Sequence, residues 1–395
     1  MKPQMVIITH VENRAVCEGF IPASLKLGYE VILITDHSLD HKHFFSRVAS
    51  GPKQIIECDV FNPLSIIDLL NTCAIKPQVV FSNSDHLQAA CALVASYFGC
   101  PGKNWQICYQ AKNKAQMRAK LQTLKIPSIW SNASLASSPL PENINYPVIA
   151  KPREGVASMG VVLCRTPAEL QNYQNNVTKQ HLPMLLESYL DGPLFTLETL
   201  SDGQQMIAVG GFDVTLSPLP YFIETGAIWN GPNSVLYREQ ALGQVRKFGV
   251  NFGVCHSEFI VTPTGPVLVE INYRSIGDGR EFLLNKLLPF NWFEKIIMLH
   301  AGESLAVLDT ESKLALIQYF PNAENGFLAQ YPESFDTQRG ETEISYKALK
   351  RSGQHLTVSH SNKDYLGMLT VIGETASSIK KAANQVAKQL AWEIN

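Results

Sequence analysis

The first hundred residues alternate between short apolar runs and helical stretches, and this alternation limits the fold more than any other feature of the chain. MVIITH reads as a buried strand, Cys17 to Leu27 as a helix, and Gly28 breaks that helix before a second apolar run, YEVILITDH. PQVVFSNSD then reads as strand followed by loop, and His86 to Phe98 as a helix closing at Gly99. Strands separated by helices favour an open, mostly parallel sheet with covering helices. Asp36 follows the second strand as the acidic residue of a dinucleotide fold does. However, the loop after the first strand, THVENRAVCEGF, has no GxGxxG to admit a pyrophosphate, which speaks against NAD.

At 395 residues the chain exceeds one ordinary core, so two to four packed units are expected. With 45% hydrophobic residues, 17% charged residues and a net charge of −2, it gives no reason to expect nucleic acid or a membrane as partner. The N-terminal MKPQMVIITH runs straight into a strand and does not read as a secretory signal. The eight cysteines include no CxxC and read as reduced thiols, so the expected compartment is the cytoplasm.

Past the first hundred residues, Gln110 to Lys125 reads as one helix, and YPVIAK and GVVLC as two strands around a glycine-containing loop. MLLESYL reads as a strand before Asp191-Gly192, and the tail as a strand pair (SNKDYLGMLTVIG) followed by a closing amphipathic helix.

Three places carry chemistry. Lys114 falls on the edge of the Met117, Leu121, Leu124 stripe, and an inward lysine needs an anion. Lys151 shares a strand face with Ile149, opposite Val148 and Ala150, and the loop after it is small and glycine-bearing, suited to a polyphosphate without being a Walker loop. A surface hairpin with a salt-bridged lysine is the plain alternative. The third place is HSEFIVTPTGPVLVEINYR. A three-residue loop, Pro263-Thr264-Gly265, pairs Thr262 with Pro266 and sets Glu258 opposite Glu270 and His256 opposite Asn272. Facing carboxylates destabilise a ladder unless neutralised, and two carboxylates with an amide oxygen suit Mg²⁺. A slip of one residue would turn Glu258 to the other face. Arg274 follows where the strand should end, as a fixed cation for developing charge or as an ordinary ion pair. Gly277 and Gly279 after it permit close backbone approach.

These pieces, in this order, resemble the ATP-grasp superfamily, and among its members the carboxylate–amine ligases such as the L-amino acid ligases. The resemblance implies an α/β (α+β) architecture: a pre-ATP-grasp parallel-sheet domain at 1–108, a small lid subdomain at 109–190, a large catalytic subdomain at 191–310 and a C-terminal α+β segment at 311–395. It implies ATP and Mg²⁺ (Mn²⁺ as its substitute), bound through Lys114, Lys151 and the loop residues Glu154, Gly155, Ser158, Met159 and Gly160. Glu187, Ser188, Tyr189 and Leu190 would line the adenine. Glu258, Glu270 and Asn272 would hold the metal, and Arg274 would be catalytic. Leu194 stands where many members carry a ribose-binding Glu, so Glu198 or water is expected to take that role. Glu224, Trp229, His256 and Gly277 are candidates for the substrate pocket. The partners implied are a small-molecule carboxylate and an amine, with a homodimer left open. A purine- or carboxylase-type member and a non-catalytic nucleotide-binding module are the competing readings.

Overall fold

The computed structural model describes residues 2–134, 138–153, 158–179 and 183–395. The N-terminal strands β1 (Gln4–Ile8), β2 (Glu30–Thr35), β3 (Gln54–Glu57) and β4 (Val79–Phe81) form a parallel sheet ordered β3-β2-β1-β4. Both faces are covered, which is why the strands read as continuous apolar runs. Met5, Ile7, Val31 and Leu33 enter one core, while Val6, Ile8, Ile32 and Ile34 enter another. The sheet reverses its winding between β1 and β4, so their carboxyl ends open a crevice of the kind that binds ligands in such sheets. Asp36, after β2, takes the ring nitrogen Nδ1 of His10 at 2.8 Å.

A second, antiparallel sheet is built from β5 (Ser131–Ser134), β6 (Val148–Pro152), β7 (Val162–Cys164) and β8 (Met184–Ser188), ordered β5-β8-β6-β7. Val148 and Ala150 are buried, whereas Ile149 and Lys151 lie half-buried on the opposite face, as the period of two requires.

The third sheet has ten strands. It takes in β9 (Leu194–Asp202), β10 (Met206–Gly210), β11 (Phe212–Leu216), β12 (Glu224–Trp229), β13 (Phe252–Thr262) and β14 (Gly265–Asn272), and continues into β15 (Leu314–Pro321), β17 (Phe335–Arg339), β18 (Thr342–Ala348) and β20 (Tyr365–Gly373). The order is β14-β13-β9-β11-β12-β15-β20-β18-β17, with β10 on β9. β16 (Gly326–Gln330), β19 (His355–Leu356) and β21 (Glu393–Ile394) make a small separate sheet.

Two expectations are corrected here. The helix expected over Gln110 to Lys125 is two helices, Trp105–Lys112 and Lys114–Thr123. Asn113 separates them with an extended backbone, and its side chain accepts from Gln116 N at 3.2 Å, the N-cap role that asparagine favours. The tail is not a strand pair. It is one nine-residue strand, β20, whose partners β15 and β18 come from earlier in the chain, followed by the helix Ala376–Ala387. The cysteines are all free, and five of them are buried. No helix among the described residues is long and apolar enough to cross a membrane.

Candidate active site

The β13–β14 hairpin reaches the expected pairing by a different route. Its turn is shorter than a three-residue loop: Thr262 pairs with Gly265, and the register runs one residue off through Phe259–Leu268. Val269 then bulges out of the ladder, the register shifts back, and Glu258 stands opposite Glu270 and His256 opposite Asn272. Without the bulge, Glu270 would face the other side of the sheet. Arg118 holds the bulge in place. Its Nη2 donates to the Val269 carbonyl at 2.6 Å and its Nη1 to the Leu268 carbonyl at 3.4 Å.

Lys114 and Arg118 lie one turn apart on the same helix, and both are buried. Lys114 Nζ donates to Glu270 Oε1 at 2.9 Å. Burial works against its charge, but Glu270 prevails and raises its pKa. Arg118 Nε donates to Glu187 Oε1 at 2.6 Å, and Lys151 Nζ lies 2.5 Å from Glu187 Oε2. Burial alone would raise the Glu187 carboxyl; the two cations instead bring it down to about 2. Lys151 itself is pushed below the ordinary lysine range by burial, with Glu187 opposing.

The facing acids differ in environment. Glu258 is pushed up by burial and by Glu270, with His256 opposing. Glu270 is held down, because Lys114 and Lys151 outweigh the cost of burial. His256 bonds Glu198 at 2.6 Å through Nδ1 and lies 3.5 Å from Glu258 through Nε2. Burial disfavours its charge, but the two carboxylates raise it to about 10. Asn272 Nδ2 donates to Glu258 Oε1 at 3.3 Å. Beside His256, the cleft is therefore offered three oxygen donors: two carboxylates and, on reorientation of the amide, Asn272 Oδ1. That composition fits a hard divalent cation, which would stabilise the charged form of a Glu258 carboxyl raised first by burial and then by Glu270.

Two adjoining cavities, each of about 180 Å³, share Ser158, Glu224, Glu258 and Glu270. The first lies between the second and third sheets. It is lined by Lys151, by Glu187, Ser188, Tyr189 and Leu190, by Leu194, and by apolar Ile129, Ile149 and Ile260. The second is lined by His256, Asn272, Arg274, Gly277, Asp278, Arg280 and Asn362. Arg274 Nε lies 3.8 Å from Asp85, which follows β4 and also pairs with Lys112. Glu224 is held by Arg280, a buried arginine, and its backbone N donates to Asn362 Oδ1 at 3.1 Å.

Of the loop after β6, Glu154 and Gly155 lie outside the described residues. Ser158 and Gly160 both have positive φ, and Ser158 Oγ donates to the Phe222 carbonyl at 3.0 Å. Met159 and Gly160 line neither cavity. Two further expectations are corrected. Trp229 is fully buried, packs edge-on against Phe212 and donates its Nε1 to Ser312 Oγ at 2.8 Å, so it belongs to the core and not to the pocket. Glu198 is fully buried beneath His256 and lines neither cavity, so it is not placed to contact a ribose beside Leu194. Asp85, Arg118, Arg280 and Asn362 went unread in the sequence. Arg118 alone left a signal, one helical turn after Lys114 on the same inward edge.

Residues 111–278 match the ATP-grasp domain model ATP-grasp_3. The uncharacterized protein y4rH of Sinorhizobium fredii is 23% identical over 412 residues, covering 100% of this chain and 84% of that protein. The L-amino acid ligase from Bacillus licheniformis superposes with a TM-score of 0.79 at 17% identity, with 100% of both chains covered. Phosphoribosylglycinamide synthetase from Anaerococcus prevotii gives 0.72 at 14% identity, also over 100% of both chains. Residues 111–278, with Lys114, Lys151, Glu258, Glu270, Asn272 and Arg274 among them, thus match an ATP-grasp domain, set within a chain that shares the fold of these solved structures from end to end.

Proposed function

We propose that this chain is an ATP- and Mg²⁺-dependent ligase that joins a carboxylate to an amine through an acyl-phosphate, releasing ADP and phosphate. The observation that carries this reading is the Glu258–Glu270 pair on the wall common to both cavities, with Lys114 and Lys151 on one side and Arg274 on the other. The apolar cavity suits a base: Ile129, Ile149 and Ile260 offer flat contact, and the 187–190 strand end offers backbone groups. Both Glu187 oxygens are held by cations, so that residue orients Lys151 and takes no direct part in binding the base. Lys151 and Lys114 lead from this cavity toward the paired acids, which fits a polyphosphate running between them.

Glu258, Glu270 and Asn272 would hold Mg²⁺, which when bound neutralises phosphate oxygens. The substrate carboxylate attacks the γ-phosphorus; the new O–P bond forms as the bond to the ADP oxygen breaks, and the lysines stabilise the charge moving onto ADP. An amine lone pair then attacks the acyl carbon. Arg274 faces the oxyanion that forms, and phosphate leaves with the electrons of the broken C–O bond. The amine proton passes to a carboxylate of the second cavity, Glu224 or Asp278. An amino acid is the leading carboxylate and a hydroxycarboxylate the next, as in small-peptide or siderophore-like products.

The test uses an ¹⁸O-labelled substrate carboxylate, found by screening carboxylate and amine pairs for ADP release. Label in orthophosphate together with ADP supports the proposal. AMP with labelled phosphorus overturns it. Phosphate release that responds to bicarbonate or formate but not to free amino acids would favour a carboxylase- or purine-type reaction.

A further inference from the structure

A third cavity, of about 300 Å³, opens on the far side of Asp278 and Asn362, the two residues that also line the catalytic cavity. Its wall begins with Asn13 and Arg14, just past β1 at the crevice where the parallel sheet reverses its winding. Its other wall carries Lys350, just after β18, and Lys363, just before β20. Among the described residues neither ammonium has a hydrogen-bonding or ion-pair partner. Arg14 lies over the Phe282 ring at 4.1 Å and pairs with Glu18 at 2.7 Å. Lys347 lies near enough to Arg14 that, after burial, this guanidinium is the largest further cause lowering its pKa. The mouth is thus crowded with cations. The side shared with the catalytic cavity, by contrast, is acidic: Asp278, an exposed residue, lines both cavities, and the buried Glu281 in the same lining has an unpartnered Oε2.

A chamber with cations at its mouth and a carboxyl on the side it shares with the catalytic cavity matches one kind of small molecule, a dipolar one with an amine at one end and an anion at the other. We propose that this cavity binds the amine substrate, and that this substrate carries an anionic group, carboxylate or phosphate, which Lys350 and Lys363 grip while Asp278 receives the amine at the entrance to the catalytic cavity. This rests on the ligase reading above. It adds that the nucleophile enters through the chamber between Arg14 and Lys363 and not through the nucleotide cavity.

The experiment uses the full chain and two kinds of amine pair: each amino acid with its carboxamide, and O-phosphoethanolamine with ethanolamine. ADP release is measured across amine concentration for the wild type and for the double variant Lys350→Ala, Lys363→Ala. The anionic member of a pair should show a KM at least about tenfold below its neutral partner, since a charged contact contributes a factor of this size or more. The double variant should erase that gap and leave the KM for ATP within about twofold, and Lys350→Arg with Lys363→Arg should restore it. The pair that responds identifies carboxylate or phosphate as the anion. Equal use of neutral amines, turnover of no anionic amine, or a double variant that weakens both members alike overturns the proposal. Hydroxylamine separates the two levels, because it is neutral and small and traps an acyl-phosphate as hydroxamate without needing the chamber. Hydroxamate from wild type and double variant alike, with no preference among amines, sinks the chamber and keeps the ligase; no hydroxamate from the wild type with any carboxylate sinks the ligase reading.

Discussion

The guanidinium of Arg118 donates to the carbonyl of Val269 at 2.6 Å, so the residue that corrects the hairpin register is fixed by a side chain 151 positions earlier in the chain. The same guanidinium bonds Glu187, whose other oxygen holds Lys151. One buried arginine therefore ties the bulge to the strand end beside the proposed nucleotide cavity, and aligns Glu270 and Lys151 together.

Replacing Arg118 by Met should cost about 3–5 kcal/mol of stability, because Glu187 would keep its burial and lose one of two compensating cations. Urea denaturation monitored by circular dichroism reads this directly. A loss under about 1 kcal/mol would mean that Lys151 alone satisfies Glu187.

Lys151→Ala removes the cation nearest the proposed phosphates. ATP affinity should fall by about 1.5–3 kcal/mol, roughly ten- to a hundredfold, with little change in the amine KM. Calorimetric titration with ATP provides the check, and unchanged affinity would return Lys151 to the role of a structural partner for Glu187.

Glu270→Gln should abolish magnesium-dependent turnover while the protein stays folded, since an amide in that position keeps a bond to Lys114 but withdraws a charge from the metal. Near wild-type rates at saturating Mg²⁺, with an unaltered circular dichroism spectrum, would refute the metal assignment.

His300 and Glu281 give opposite pH signatures. His300 is buried between Phe81 and Phe252 with neither ring nitrogen bonded, and burial followed by Lys103 lowers its pKa from 6.5 to about 3. A lowered value means its contribution is intact above pH 6.5 and lost as the pH falls. Glu281 is raised by burial from 4.5 to about 7, so its contribution is intact below pH 4.5 and lost as the pH rises through 7. The two slopes oppose each other between pH 5 and 6.5 and are read as differences from wild type. His300→Leu should gain about 1.4 kcal/mol relative to wild type for each unit of acidification there, and Glu281→Gln should lose about as much. Parallel stability curves for all three proteins would contradict both assignments.

Strands β1, β2 and β4 of the parallel sheet were readable because they are buried on both faces and read as apolar runs between breakers, whereas the edge strand β3, a partly exposed QIIE, left no such run. The hairpin pair was readable in outcome but not in cause: a three-residue loop and a shorter turn with a bulge both set Glu258 against Glu270, and nothing local in PVLVEIN distinguishes them. The partners of the site residues were not readable. Asp85 reaches Arg274, and Arg280 reaches Glu224, across chain separations that only the closed fold brings together. Trp229 misled for a related reason, since an aromatic reads the same in the sequence whether it lines a cavity or fills a core.

The unbroken run of strands from β14 to β17 has a practical consequence for the chain beyond residue 310. β12, which carries Glu224, is bonded along one side to β15, and β15 in turn to β20. A fragment ending after the helix Trp292–His300 would leave β12 as a raw edge, with a row of open backbone donors and acceptors and apolar Ala227 and Trp229 nearby. Such an edge recruits other chains, so trimming this protein to its matched domain would yield an aggregating fragment and not a smaller enzyme.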